Sequence, residues 1–344
     1  MSQNKLNAGV LLNANGELSE RGYATQLVKQ YDRKAIKASK MRIKEWDYYL
    51  VTNQEFGVAL TIADNGYMGL ISATFLDFKN KTEKTVSPMV IMPMGKMHMP
   101  STSESGDVHF ENKKVELSYY HEEGGRRLVL NMPKFDGVFP LIVDILLTDI
   151  PAESMVIATP FKEDPKAFYY NQKIVGMRAQ GIVIHKGEEL EVKSENSFGI
   201  LDWGRGVWTY ENTWYWGAGN GLIDGKIFGF NIGYGFGDTS AATENMLFYE
   251  GKAHKLEGVE FLIPKTADGQ DDFMRPWKFS STDGRFEADF TPILDRAALT
   301  SLVIIASDQH QVFGYFNGKA ILDDGTVIKL VNFLGFAEKV SNKW

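Results

Sequence analysis

The fold class is set by the stretch Gly57-Val58-Ala59-Leu60-Thr61-Ile62-Ala63-Asp64-Asn65-Gly66-Tyr67, after which an apolar run continues to residue 78. Short apolar runs bounded by turn residues are typical of β-strands, and an Asp-Asn-Gly triplet is typical of a tight turn. The stretch therefore predicts a β-hairpin whose two strands meet at residues 64–66.

Similar runs recur along the rest of the 344-residue chain, separated by turn signals at a spacing of about 8–12 residues. The turns include Lys186-Gly187, Asp224-Gly225 and Glu250-Gly251. This rhythm predicts antiparallel sheets closed into barrels or sandwiches, so the expected class is all-β with few short helices. The further predicted strands are residues 115–120, 127–131, 139–147, 181–185, 227–233, 247–249, 259–263, 286–290, 302–306, 312–316 and 327–333.

Helix is predicted only for residues 23–40 and 291–298, with residues 197–203 as a further candidate. So many short strands exceed one simple barrel, and two all-β halves are the more economical arrangement. Charged residues peak just before residue 196, which places the join there. We therefore predict an N-terminal half of residues 1–190 and a C-terminal half of residues 191–344 that carries Asp202-Trp203-Gly204-Arg205.

Composition excludes several functions. With 37 basic and 44 acidic residues the formal net charge is −7, and nucleic acid is not an expected partner because phosphate binding needs a basic surface. Cysteine is absent, which excludes disulfides, thiolate metal sites and a cysteine nucleophile. The histidines form no tight pair, and the glycine repeats lack dinucleotide-loop spacing. We therefore expect no metal and no cofactor.

Apolar runs in this sequence are short. None approaches about 18 uncharged residues, and the start lacks the apolar core of a signal peptide. We expect a cytoplasmic protein without a transmembrane segment, and the oligomeric state stays open. The expected partner is a small molecule, either apolar or carbohydrate.

Glycine and tryptophan concentrate between Gly199 and Gly237. Eleven of the 33 glycines and four of the seven tryptophans fall in these 39 residues. Trp214 and Trp216 share one side of a strand because side chains there alternate, whereas Tyr215 points to the other side. The rings either pack between two sheets or line a ligand site, and the sequence leaves both interpretations open.

Charged and amide side chains lie among these rings. Asp202 and Glu244 form the best acid–base pair, because a carboxyl in aromatic surroundings can have a raised pKa and act as a general acid. Asp202 either faces a cavity or pairs with Arg205 as a structural ion pair. The candidate ligand-binding residues are Trp203, Arg205, Trp208, Tyr210, Trp214, Trp216, Asn231, Asn245, Tyr170 and Lys173.

These residues resemble a bacterial family of domains of unknown function. The segments that carry the resemblance cover most of the chain: residues 44–48, 159–173, 201–210, 214–216, 231–238, 243–245, 251–252, 311–318 and 335–344. More distantly, the chain is similar to the superfamily of the carotenoid hydratase (hydroxyneurosporene synthase), which also includes tocopherol cyclase, lipocalin-like Diels–Alderases and a ceramide-handling survival factor. The resemblance implies two tandem lipocalin-like β-barrels with a ligand cavity, acting on large apolar molecules.

Three functions fit the sequence. The first is a cofactor-independent enzyme that hydrates, isomerises or cyclises a small or medium, largely apolar ligand by acid–base chemistry. The second is a glycoside-acting hydrolase with paired carboxylates, a tryptophan platform, and Asn231 and Asn245 on sugar hydroxyls. The third is a non-catalytic lipid or hydrophobic-ligand binding protein.

Overall fold

The predicted hairpin forms at the expected place. A computed structural model describes residues 3–302 and 305–343, and in it the strands Phe56–Asp64 and Met68–Asp77 pair on either side of the turn. The Asp64 carboxylate accepts the backbone N–H of Gly66 at 3.0 Å, and Gly66 has a φ of 78°. The Asp-Asn-Gly signal therefore acts through a side-chain cap and a left-handed glycine.

Twenty-five strands are present among the described residues, and the predicted all-β class is confirmed. The strands are β1 (Gly9–Val10), β2 (Gly22–Ala24), β3 (Lys29–Gln30), β4 (Ile43–Thr52), β5 (Phe56–Asp64), β6 (Met68–Asp77), β7 (Thr82–Val86), β8 (Met89–Ile91), β9 (Val108–Glu111), β10 (Glu116–Glu122), β11 (Gly125–Asp136), β12 (Phe139–Thr148), β13 (Met155–Phe161), β14 (Asp164–His185), β15 (Glu188–Val192), β16 (Phe198–Val207), β17 (Glu211–Ile223), β18 (Lys226–Tyr234), β19 (Met246–Tyr249), β20 (Lys252–Lys255), β21 (Val259–Leu262), β22 (Trp277–Ser281), β23 (Phe286–Leu302), β24 (Ile305–Ile321) and β25 (Val327–Lys343).

The strands form two curled antiparallel sheets, the arrangement of two lipocalin-like barrels in tandem. The first sheet runs in the order β7-β6-β5-β4-β16-β14-β12-β11-β10-β9, with β2, β8, β13 and β15 attached at its sides. The second runs β20-β19-β18-β17-β25-β24-β23-β22-β21. The short strands β1 and β3 form a separate parallel pair.

The helix predictions are wrong. Residues 23–40 contain β2, β3 and the first residue of a 3-10 helix at Lys40–Arg42, preceded by another at Arg33–Ala35. Residues 291–298 lie inside β23, and residues 197–203 lie largely in β16. Residues 291–298 pair with β24, and residues 198–203 pair with β4 and β14. Residues 23–40 pair only at β2 and β3. Of the predicted strand at residues 302–306, residues 303 and 304 lie outside the described residues.

The chain passes from the first sheet to the second between Val207, the last residue of β16, and Glu211, the first residue of β17. The segment around Asp202 belongs to β16, in the middle of the first sheet, between β4 and β14. The predicted boundary at residue 190 stays a prediction. The Asp202 segment itself, however, is paired with N-terminal strands, since β16 lies between β14 and β4 in the first sheet.

The interior of the second sheet is packed with aromatic rings, which include Phe230, Phe279, Phe290 and Phe316, each no more than 2% exposed. A larger core lines the first sheet and continues into the layer between the two sheets. Among the described residues, we find no helix with the length and apolar character needed to cross a membrane.

Candidate functional site

Alternation along β16 places Asp202 on the face of the first sheet that packs against the second sheet. Asp202 lies opposite Lys173 of β14 on one side and opposite Tyr48 of β4 on the other, and opposed residues share a face. The Tyr48 ring contacts the Trp216 ring of β17, with centroids 6.0 Å apart. Asp202 is therefore buried between the sheets, with 7% of its surface exposed.

Lys173 brings a positive charge into this layer. Its Nζ lies 2.8 Å from Asp202 Oδ1 and 3.9 Å from the centre of the Trp216 ring. Asn171, on the same face, donates its side-chain N–H to Asp202 Oδ1 at 2.6 Å and to the Trp203 carbonyl at 2.7 Å. These contacts fix the position of the Asp202 carboxylate between the two sheets.

Glu244 enters from the second half of the chain. The Trp216 indole N–H donates to Asn231 Oδ1 at 2.7 Å, and Asn231 Nδ2 donates to the Glu244 carbonyl at 2.9 Å. Position 233 needs glycine, because a Cβ there would lie 2.7 Å from the Tyr215 carbonyl oxygen and 2.8 Å from Glu244 Oε1. Burial raises the pKa of the Glu244 carboxyl, although the charge of Lys173 opposes this shift.

Glu338 adds a third carboxyl group. It lies on β25 at the level of Trp216, opposite Gln311 of β24. Its carboxylate accepts the Trp214 indole N–H at 2.9 Å and the Gln311 side-chain N–H at 3.0 Å. Burial raises its pKa to about 7, against the opposing effects of the Trp214 hydrogen bond and the Lys173 charge.

We call this group of residues the inter-sheet cluster. Burial raises the pKa of Glu244 and Glu338 against the opposing charge of Lys173, and the Glu338 pKa of about 7 lets this carboxyl hold a proton near neutral pH. A protonated carboxyl beside a carboxylate and aromatic faces is a suitable arrangement for general acid–base chemistry. Its members are Asn171, Lys173, Asp202, Trp214, Trp216, Asn231, Glu244, Gln311 and Glu338.

Three of the predicted binding residues lie on the opposite face of the first sheet. Trp203 is fully buried, with the Tyr170 ring 5.6 Å from its own and the Arg205 guanidinium 4.3 Å from its ring centre. Arg205 pairs with Asp47 at 3.0 Å and not with Asp202. The interpretation of Asp202 and Arg205 as a structural pair is therefore wrong, because alternation directs the two side chains to opposite faces.

The remaining predicted residues surround the cluster at greater distance. Trp208 packs between Trp214 and Phe236, with centroids 5.8 and 4.9 Å away. Asn245 accepts the Gly233 N–H and donates to a backbone carbonyl, which supports the loop that carries Glu244. Tyr210 is 49% exposed. The catalytic and binding roles of all these residues stay predictions.

Sequence reasoning missed Glu338, Gln311 and Asn171 as site residues. Glu338 follows the apolar run Gly335-Phe336-Ala337, and a charge that continues an apolar run is a signal of a paired or functional group. Glu338 and Gln311 lie 27 positions apart, and only the register of β24 against β25 brings their side chains together. Asn171 follows Tyr170 directly, but the sequence does not reveal which of the two faces Asp202.

An open groove of about 470 Å³ lies close to the cluster. Phe161, which lines it, packs edge-on against Phe236 at 5.2 Å between centroids. Phe236 in turn contacts Trp214 at 5.2 Å, and Trp214 donates to Glu338. A series of three aromatic rings, Phe161, Phe236 and Trp214, therefore connects the groove to Glu338. Among the described residues, no group of three or more histidine or acidic side chains is arranged to hold a metal ion.

Fold and site together define an all-β protein of two lipocalin-like sheets with a buried cluster of carboxyl groups between them. The chain belongs to the family described as domain of unknown function (DUF2804), which matches residues 3–344. The predicted family resemblance is thereby confirmed. No curated protein matches the chain.

Three solved structures are similar in fold. An AttH-like protein from Nitrosomonas europaea has a TM-score of 0.56 at 12% identity, with 90% of this chain and 96% of that chain covered. Kievitone hydratase from Nectria haematococca has a TM-score of 0.45 at 10% identity, covering 93% and 97%. CghA has a TM-score of 0.44 at 9% identity, covering 98% and 97%. The first of these likenesses shows a shared fold.

Proposed function

We propose that the inter-sheet cluster is the active site of a cofactor-independent enzyme that moves a proton on a small or medium, largely apolar ligand. The reaction class is hydration, isomerisation or cyclisation. The observation that carries the proposal is the Glu338 carboxyl, whose burial raises its pKa to about 7. A general acid works best when its pKa lies near the working pH, because both protonation states are then available.

In this mechanism Glu338 donates its proton to the ligand, and the Asp202 carboxylate takes a proton either from the neighbouring carbon or from an attacking water. Lys173 holds Asp202 in place at 2.8 Å. The faces of Trp214 and Trp216 stabilise the positive charge that develops on the ligand. Glu244, whose pKa burial also raises, is the alternative acid.

Ligand access is proposed through the groove beside Phe161 and past the ring of Phe236. The cluster is closed by packing, with Glu338 only 4% exposed. Exclusion of water by such packing strengthens electrostatic interactions within the site and protects reactive intermediates. Displacement of the Phe236 ring would let a ligand in the groove reach Trp214, which Phe236 contacts at 5.2 Å between ring centroids.

The geometry favours this function over the glycoside-acting alternative. Both amides that were expected to bind sugar hydroxyls are already engaged, Asn231 by Trp216 and the Glu244 carbonyl, and Asn245 by Gly233 and Glu257. In the alternative of a hydrophobic-ligand binding protein, the ligand would be bound but not chemically changed. The experiment below separates this binding from catalysis.

The test uses deuterium. The purified protein is incubated in D2O with a lipid and small-metabolite extract of its host, and mass spectrometry follows compounds that gain deuterium or the elements of water. Glu338→Gln and Asp202→Asn are expected to abolish these changes. Glu287→Gln is the matched control, because Glu287 makes a half-exposed pair with Lys319 at 2.8 Å far from the cluster. A ligand that is retained but unchanged by the wild-type protein would favour a binding protein. Full turnover by both cluster variants would exclude the proposed roles.

A further inference from the structure

The opposite face of the first sheet carries a second group of buried polar side chains. Arg126 of β11, Tyr119 of β10 and Tyr49 of β4 all point to the interior of the curled sheet, where the Tyr49 and Tyr119 rings pack edge-on at 4.7 Å. Their burial is nearly complete, with 6%, 2% and 2% exposed. These residues play no part in the inter-sheet cluster, which faces away from them.

Arg126 has no carboxylate at ion-pair distance among the described residues. The charge of Arg126 does act on the Asp47 carboxylate, but that carboxylate already pairs with Arg205 at 3.0 Å, so Arg126 has no ion pair of its own in the described part of the chain. A buried guanidinium without an anionic partner is unfavourable, because burial removes the water that would otherwise solvate its charge.

The hydrogen bonds that Arg126 does make are weak or contested. Its Nη1 lies 3.4 Å from Tyr49 Oη, at the long end of the range, and 3.1 Å from His121 Nε2. The same His121 nitrogen lies 2.9 Å from the Ser103 carbonyl. One ring nitrogen cannot donate to Ser103 and accept from Arg126 at the same time, so the guanidinium retains donor capacity.

Tyr119 adds an unused donor. Its hydroxyl is buried and has no hydrogen-bond partner among the described residues, and burial raises its pKa well above the ordinary value, so it remains a neutral O–H. Around these polar groups the interior is aliphatic, with Leu128, Leu130 and Ile145 all fully buried. A cationic and phenolic end joined to an apolar wall is complementary to an acid with an apolar tail.

The loop of residues 92–107 fills the mouth of this interior. The Pro100 carbonyl accepts two N–H groups of Arg205, at 2.8 and 3.1 Å, and the Ser103 hydroxyl donates to Gln172. Met92 and His98 have φ values of 51° and 52°, which are costly for residues other than glycine. The start of the loop is anchored to the turn between β5 and β6, where Met94 N–H donates to the Gly66 carbonyl and Gly95 N–H to the Asp64 carboxylate. Residues 99–103 beyond it are held by the contacts with Arg205 and Gln172.

We propose that the interior of the first sheet binds a medium-sized carboxylic acid with an apolar tail. The carboxylate is received by Arg126, Tyr49 and Tyr119, and the tail takes the space that residues 99–103 leave when the loop moves out. The site is independent of the proposed proton transfer, because it lies on the other face of the sheet.

The test is calorimetric titration of the full chain with octanoate, with octan-1-ol as the neutral probe. Wild-type protein is expected to bind octanoate and to discriminate against the alcohol. Tyr119→Phe is expected to weaken octanoate binding by about tenfold, since it removes one hydrogen bond to a charged group. Its thermal stability is expected to stay unchanged, because the lost hydroxyl has no hydrogen-bond partner in the part of the chain that the structure describes.

Arg126→Gln is expected to remove octanoate binding. The matched control is Arg127→Gln on the adjacent position of β11, which points outward and pairs with Asp144 at 2.7 Å. Hydrogen exchange of residues 92–107 is expected to rise on octanoate binding in the wild-type protein. Absence of octanoate binding by the wild type, or equal affinities of the wild type and Tyr119→Phe, would overturn the proposal. So would an equal loss in Arg126→Gln and Arg127→Gln.

Discussion

The interior of the second sheet and the layer between the two sheets are built from the same kind of strand but differ in chemistry. Inside the second sheet, Phe290 contacts Phe316 at 4.6 Å and Phe279 at 5.9 Å between ring centroids. Between the sheets, the rings of Trp214 and Trp216 are interleaved with buried charges. Among the described residues, the interior of the second sheet is therefore packed without buried charges, whereas the layer between the sheets contains them.

Buried ionisable groups are a net liability unless they are well paired, because desolvation opposes the charged state. Their presence in the layer therefore points to function, whereas the rings of the second sheet point to stability. Four substitutions distinguish these two interpretations, and their expected effects on stability decrease from the first to the last.

Phe290→Ala should give the largest loss. The side chain is fully buried in the second sheet, and such a truncation removes contacts and leaves a cavity, which costs about 3–5 kcal/mol of unfolding free energy. The loss should be the same at pH 5 and pH 8, measured by urea unfolding at both values. A marked pH dependence would show that the aromatic interior is coupled to the inter-sheet charges.

Lys173→Met should cost about 3–4 kcal/mol at pH 8, because it leaves the Asp202 carboxylate buried without its cation. The loss should shrink at pH 5, where the neighbouring carboxyls can protonate. Lys319→Met is the control, since its pair with Glu287 is half exposed and such pairs contribute about 0–1 kcal/mol. Equal losses in the two variants would contradict a special role for the cluster.

Glu338→Gln should change the pH dependence of stability. Burial raises the pKa of this carboxyl from 4.5 to about 7, so the folded state holds its proton more tightly than the unfolded state does. The wild-type protein therefore loses stability as pH rises from about 4.5 to about 7, by about 3 kcal/mol, and stays at the lower level above that pH. The variant lacks this loss, so unfolding curves from pH 4 to pH 8 should diverge towards high pH. Parallel curves would place the Glu338 pKa near its ordinary value.

Trp214→Phe should have the smallest effect. It keeps a six-membered aromatic ring at this position but removes the indole N–H that donates to Glu338 at 2.9 Å. The loss of this hydrogen bond costs about 1 kcal/mol of unfolding free energy. Since that hydrogen bond lowers the Glu338 pKa, its loss should raise the pKa above about 7. Carbon-13 NMR of glutamate carboxyls, assigned with Glu338→Gln, measures the shift. A lowered pKa would contradict the geometry.

Several structural features were predictable from local sequence because they depend on neighbours in the chain. The turn at Asp224 and Gly225 forms with φ values of 52° and 78°, as a two-residue hairpin turn requires. Alternation alone separates Trp214 and Trp216 from Tyr215, which packs against Tyr234 on the other side of the sheet. The helix prediction at residues 291–298 failed because these residues pair along β24, and the one at residues 23–40 failed because they form two short strands and 3-10 turns.

The candidate site was predictable only in part. Asp202, Lys173, Trp216 and Glu244 were selected from composition, and they do lie together. The partner of Asp202 was not predictable, because the choice between Lys173 and Arg205 depends on which strand lies beside β16 and in which register.

The sequence by itself determined the all-β class, the turn positions and the concentration of glycine and tryptophan between Gly199 and Gly237, since these depend on neighbouring residues. Only the tertiary structure decided which acids share a space. Glu338 contacts Trp214, 124 positions away in the sequence, in the layer between the two sheets. Arg205 contacts Asp47, 158 positions away, on the other face of the first sheet. Strand register fixes these encounters, and a shift of one residue would move every side chain to the other face.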